Sequence, residues 1–102
     1  MYGLSDETIE KIKTIFVKHP EVEEVIIYGS RAKGTYREGS DIDITLKGGK
    51  ITDSIFSQIH GEIDDLNTPY LFDISIFENL QSLDLIEHIN RVGQVFYSKE
   101  FL

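Results

Sequence analysis

Three aspartates in two segments of similar pattern are the residues of this sequence best suited to chemistry. Residues 41–46 alternate between polar and aliphatic types, which in a β-strand places Asp41 and Asp43 on one face. Residues 71–77 repeat this alternation. They place Asp73 on the face opposite to the apolar side chains of the same strand. If the two strands are neighbours, about 4.8 Å apart, three negative charges converge on one face of a sheet.

Three converging carboxylates repel one another, so the pattern predicts a bound divalent cation. Carboxylate oxygens with no histidine or cysteine beside them suit Mg²⁺, with Mn²⁺ as the alternative, and Mg²⁺ commonly binds together with substrate phosphates. A two-ion site holds its ions about 3.5–4 Å apart. We therefore expect Asp41 and Asp43 to bridge two ions, and Asp73 to hold the ion on the acceptor side and to take the acceptor's proton.

A glycine-serine turn supplies a place for a triphosphate. Gly29 and Ser30 follow the apolar, β-branched run 25–28 directly, so the backbone can approach a phosphate closely and the serine hydroxyl can bind it. Arg31 adds local positive charge, as do Lys33 and Arg37. The residues predicted to bind nucleotide are Gly29, Ser30, Arg31 and Ser40. Two simpler interpretations stay open: the basic side chains could serve only solubility, and Ser40 could only cap the turn before the strand.

Segments typical of helices and strands alternate around these residues. A helix is expected after Ser5 and before Pro20, a second from Thr52 to about Asn67, and a third ending at Gly93. Strands are expected at 25–28, 41–46, 71–77 and 95–97. Apolar stripes on the later two helices predict buried faces: Ile55, Phe56, Ile59 and Ile63, then Leu83, Ile86, Ile89 and Val92. The expected fold class is therefore α/β, with one sheet and helices packed on it, in a single domain over residues 1–102.

Composition excludes several classes of function. The 102 residues suffice for one core, and a formal net charge of −8 opposes binding to long nucleic acid or to an anionic membrane. There is no apolar run near 20 residues and no signal-peptide pattern at the start, so we expect a cytoplasmic protein. The absence of cysteine excludes disulfides and thiolate zinc sites. The three histidines lie on separate expected helices without the spacing of metal ligands.

Residues 29–43 resemble the signature of the DNA polymerase β-type nucleotidyltransferase superfamily: Gly-Ser, a spacer of ten residues, then Asp-x-Asp. Asp73 resembles the third carboxylate of that superfamily. The short chain and its ending at 93–97 resemble the minimal, MntA-like antitoxin branch. The resemblance implies a mixed β-sheet with flanking helices, an α+β variant of the fold class. It also implies Mg²⁺-dependent transfer of a nucleoside monophosphate, AMP from ATP above all, with pyrophosphate leaving.

The resemblance also implies a protein partner. In the minimal branch a separate, all-helical HEPN-type toxin supplies the acceptor, and the antitoxin adenylylates a toxin tyrosine in a type VII toxin-antitoxin system. Two alternatives remain open: an antitoxin that neutralises its partner by binding alone, and transfer to a small molecule such as an aminoglycoside. A homo-oligomer also stays open, because part of an apolar helix stripe could continue into an interface.

Overall fold

A four-stranded sheet with helices on both faces forms the protein, and the computed structural model describes residues 1–99. The helices are α1 (Asp6–Val17), α2 (Gly29–Lys33), α3 (Asp53–Asp64) and α4 (Leu83–Val92), with a 3₁₀ turn at Phe77–Asn79. The strands are β1 (Glu24–Tyr28), β2 (Ile42–Lys47), β3 (Phe72–Ile76) and β4 (Gln94–Ser98). Their order is β3-β2-β1-β4, with β2 and β3 parallel and the other pairs antiparallel. The expected α/β fold with one mixed sheet is confirmed; residues 100–102 of the expected domain lie outside the described residues.

Helices α1, α3 and α4 each begin after a short polar side chain that caps them. The Ser5 hydroxyl accepts the Thr8 backbone N–H at 3.2 Å, and Thr52 caps α3 in the same way. The predicted end of α3 near Asn67 was wrong, because the helix ends at Asp64 and the chain reverses through Asn67, whose φ of 55° is incompatible with a right-handed helix. None of the helices within residues 1–99 has the length and apolar character needed to cross a membrane.

One face of the sheet is a fully packed apolar layer. It carries the side chains Val25, Ile27, Ile42, Ile44 and Leu46, each with no exposed surface. Buried residues of α1 and α3 cover them, among them Ile12, Phe16, Ile59 and Ile63. Burial of one such side chain contributes about 1.5–3 kcal/mol. This layer holds β1, β2 and β3 in a fixed register.

The opposite face is covered only in part, by α4. Ile89 of α4 packs against Ile26 and Tyr28 of β1 in a second, smaller cluster. The predicted burial of Leu83 was wrong, because this side chain is 80% exposed. The small cluster draws its apolar contacts from Leu85, Ile89 and Val92 instead, so the first residue of α4 projects into solvent.

Candidate active site

Sheet register brings two of the predicted aspartates together. Asp43 of β2 is the register partner of Asp73 on the parallel strand β3 and of Tyr28 on the antiparallel strand β1. Side chains in such a row project from the same face of a sheet. Tyr28, Asp43 and Asp73 therefore form one row across three strands, on the face that α4 covers in part. The expectation that the two aspartate-bearing strands are neighbours is confirmed.

Asp41 lies just before this row. The next residue, Ile42, donates its backbone N–H to the Leu71 carbonyl at 2.8 Å, which joins the start of β2 to the start of β3. Asp41 and Asp73 are exposed, whereas Asp43 between them is half-buried. The acidic surface is thus open to solvent, with its most sheltered carboxylate in the middle.

The electrostatics of Asp43 reflect this placement. Burial raises the pKa of the Asp43 carboxyl above 3.8, and the negative charges of Asp73 and then Asp41 raise it further. The charges of His88 and Arg31 lower this pKa by smaller amounts. A bound cation would remove the repulsion, and a set of three carboxylates without softer ligands matches a hard ion such as Mg²⁺. Within residues 1–99 these side chains do not form a preassembled coordination shell.

The glycine-serine turn lies directly against the half-buried carboxylate. Gly29 has a φ of 74°, and a Cβ atom at this position would overlap Oδ2 of Asp43. Only glycine fits both the backbone conformation and the close approach. Ser30 follows in the first turn of α2, and its hydroxyl has no hydrogen-bond partner in the part of the chain that the structure describes. The turn therefore places a free hydroxyl beside the row of aspartates.

The other two predicted nucleotide-binding residues are already engaged inside the protein. The Arg31 guanidinium is buried and donates to the Ser40 and Tyr2 carbonyl oxygens. The Ser40 hydroxyl accepts the Arg37 backbone N–H at 2.8 Å. Ser40 therefore does cap the turn before β2. Nucleotide binding by Arg31 and Ser40 stays a prediction, and these contacts favour a structural role for both.

Two residues near the site were not predicted to belong to it. Burial and the charge of Asp73 raise the pKa of the Tyr28 phenol above 10, so this side chain stays neutral. The His88 ring meets the Tyr28 ring edge-on, with 6.1 Å between centroids. Tyr28 could have been found from its place directly before Gly29. His88 carries no such signal, because only the packing of α4 brings it to the acidic row. By contrast, His19 is a buried histidine whose ring is hydrogen-bonded to Glu62 at 2.7 Å.

The family of the chain follows from a comparison of its sequence with protein-family models. The model described as "Polymerase beta, Nucleotidyltransferase" matches residues 10–101. The chain belongs to this nucleotidyltransferase family. A comparison with curated protein sequences gives no match.

Solved structures share the fold of this chain. One is described as a crystal structure of a toxin-antitoxin with AMP-PNP. Its matching chain is 17% identical to this one, with a TM-score of 0.70. The match covers 95% of this chain and 76% of that chain. Another is a tri-AMPylated Shewanella oneidensis HEPN toxin in complex with its MNT antitoxin, with 15% identity, a TM-score of 0.65, and 97% and 74% coverage. A nucleotidyltransferase-like protein from Sulfolobus solfataricus has 21% identity, a TM-score of 0.53, and 95% and 92% coverage. At identities this low, these similarities show a common fold and nothing more.

Proposed function

We propose that this chain is an Mg²⁺-dependent nucleotidyltransferase that transfers AMP from ATP to a hydroxyl group, on a tyrosine of an all-helical HEPN-type toxin. One observation carries the proposal: the sheet register aligns Asp43 with Asp73, and the Gly29–Ser30 turn lies against Asp43. Membership of the nucleotidyltransferase family supports the reaction type. Mn²⁺ has the same ligand preference and is expected to replace Mg²⁺.

Each site residue has a part in the proposed reaction. Asp41, Asp43 and Asp73 would hold Mg²⁺, which when bound neutralises phosphate charge and lowers the pKa of the attacking hydroxyl. Gly29 lets the backbone approach the triphosphate, and the Ser30 hydroxyl donates a hydrogen bond to a phosphate oxygen. The acceptor oxygen attacks the α-phosphorus, and the bond from that phosphorus to the bridging oxygen of pyrophosphate breaks. The exposed Asp73 takes the acceptor's proton.

The openness of the site favours a macromolecular acceptor. Asp41 and Asp73 are exposed, so a partner surface can bring a hydroxyl to the acidic row. A net charge of −8 suits a partner with a basic surface. Toxin-antitoxin complexes are among the structures with this fold, and one of them contains an AMPylated HEPN toxin. We propose that the chain acts in the cytoplasm on such a partner.

Labelled ATP tests this function. The chain is incubated with Mg²⁺, α-labelled ATP and its proposed partner, an all-helical HEPN-type toxin, and label is expected on a tyrosine of that helical protein. Metal ligation is worth several kcal/mol of barrier lowering, so the double variant Asp41→Asn/Asp43→Asn should label at least about 100-fold more slowly. Glu10→Gln on α1 removes one exposed carboxylate elsewhere and serves as the matched control. Undiminished labelling by the double variant would refute the assigned roles.

The same variant separates the alternatives. If the double variant binds the helical protein as tightly as the unmodified chain and still neutralises it, binding alone is the function. If it binds but no longer neutralises, catalysis is required. Transfer to a small molecule is tested in parallel by offering an aminoglycoside as the acceptor in place of the protein.

A further inference from the structure

Arg31 is a buried cation whose hydrogen bonds all run to backbone carbonyls. Only 3% of the Arg31 surface is exposed to solvent. Nε and Nη2 donate to the Ser40 carbonyl at 3.1 and 2.8 Å, and Nη1 donates to the Tyr2 carbonyl at 2.8 Å. A planar guanidinium can form such a two-pronged contact, whereas an ammonium group cannot.

Two aromatic rings complete the surroundings of this guanidinium. Its central carbon lies 5.4 Å from the centre of the Tyr36 ring and 4.9 Å from that of Tyr70. Aromatic faces stabilise a cation at these distances. The Arg31 guanidinium thus lies among two carbonyl oxygens and two aromatic rings inside the protein, with almost no surface open to a phosphate.

The segment that Arg31 holds leads directly into the acidic row. Ser40, the acceptor of two of its bonds, immediately precedes Asp41. Arg31 itself immediately follows Ser30. A single side chain thus joins the two ends of the segment 31–40, one beside the Gly29–Ser30 turn and the other beside the first aspartate. The turn at Ser40 is closed further by its backbone N–H, which donates to the Arg37 carbonyl at 3.0 Å.

We propose that Arg31 is a positioning residue that fixes Asp41 relative to the Gly29–Ser30 turn and does not itself contact the nucleotide. The bond to the Tyr2 carbonyl makes the amino-terminal segment part of this arrangement. The proposal replaces the phosphate-binding role expected from the sequence. Its catalytic consequence rests on the proposed nucleotidyltransferase function, whereas its structural content does not.

Arg31→Lys tests the proposal because lysine keeps the positive charge and loses the two-pronged contact with Ser40. Arg91→Lys, on the exposed surface of α4, is the matched control. Supporting groups around metal ligands commonly contribute 10- to 100-fold in affinity or rate. We expect Arg31→Lys to lower kcat and the affinity for Mn²⁺ alone by about 10-fold or more, with a nearly unchanged KM for ATP. An unchanged Mn²⁺ affinity with a raised KM would identify Arg31 as a phosphate ligand and overturn the proposal.

Amide hydrogen exchange gives a measurement independent of metal and activity. Faster exchange at the Arg37 and Ser40 N–H groups in Arg31→Lys than in Arg91→Lys supports the proposal, and equal exchange overturns it. This comparison holds even if the unmodified chain transfers no AMP, a result that would refute only the proposed function. If Arg31→Lys fails to fold, Tyr36→Leu removes one aromatic face at a partly exposed position. It should weaken Mn²⁺ binding to a smaller extent, and unchanged binding would again overturn the proposal.

Discussion

The two faces of the sheet differ in what they contribute to the protein. The face under α1 and α3 carries five strand side chains with no exposure, and it supplies most of the apolar burial. The face toward α4 carries Tyr28, Asp43 and Asp73 in one row. Packing on the first face fixes the strands, and the second can therefore hold like charges side by side. The apolar core and the acidic row thus lie on opposite surfaces of the same three strands.

The polar face is nevertheless well ordered beneath its acidic row. Thr45 is fully buried, and the hydroxyl of its register partner Ser75 donates to the Thr45 hydroxyl at 2.8 Å. The Thr45 hydroxyl in turn donates to the Ser75 backbone carbonyl at 3.4 Å. The repulsion between the aspartates is thus confined to the end of the strands where β2 and β3 begin.

The largest expected effect is a loss of stability when the apolar face of the sheet is disrupted. Ile44→Ala removes a fully buried side chain from the apolar face, and we expect the free energy of unfolding to fall by about 2–5 kcal/mol. The fraction that remains folded should keep its transfer rate, because Ile44 points away from the acidic row. Urea denaturation measures the first quantity, and rates normalised to folded protein measure the second. A rate that falls in the folded fraction would show that the two faces are not independent.

The second effect is a gain in stability, expected when a charge is removed from the acidic row. Because the pKa of Asp43 is raised in the folded chain, ionised Asp43 destabilises the fold: stability falls as pH rises from 3.8 through that higher pKa. Asp43→Asn removes this loss. In EDTA at pH 7, its melting temperature should exceed that of the unmodified chain by a few degrees, although transfer is lost.

A pH series checks the sign of this effect. As pH falls below about 4, the Asp43 carboxyl becomes protonated in both the folded and the unfolded chain, so the advantage of Asp43→Asn should disappear. Glu10→Gln, which removes a carboxylate at an exposed position of α1, is measured beside it as the control. An advantage of Asp43→Asn that stays constant from pH 3.5 to 7 would contradict the electrostatic explanation.

The smallest effect is expected at the edge of the small cluster under α4. Leu83 is 80% exposed, so Leu83→Ser should change the free energy of unfolding by less than about 0.5 kcal/mol. Ile89→Ala on the same helix is the buried counterpart and should be clearly destabilising. Urea denaturation of the two variants compares them directly. A large loss of stability in Leu83→Ser would mean that the Leu83 side chain packs against the protein in solution.

Much of the fold could be predicted because its signals are local. The alternation around Asp43 and Asp73 identified two strands, and Ser5 and Thr52 identified two helix starts, since period and capping depend on residues close in sequence. The end of α3 and the exposure of Leu83 were predicted wrongly. The exposure of Leu83 depends on how much apolar surface neighbouring elements offer, which an apolar stripe does not reveal, and α3 ends before the chain reversal through Asn67.

The candidate site also has a part that local sequence predicts and a part that depends on tertiary contacts. Residue types and spacing alone predicted a glycine-serine turn, two aspartates and a later strand aspartate as its chemical groups, because each signal lies within a few neighbouring residues. Only the tertiary structure decided that Asp43 and Asp73 are direct register partners, that His88 faces Tyr28, and that Arg31 is held by Ser40 and Tyr2. These contacts join segments far apart in sequence, and their geometry is set by packing of the whole core.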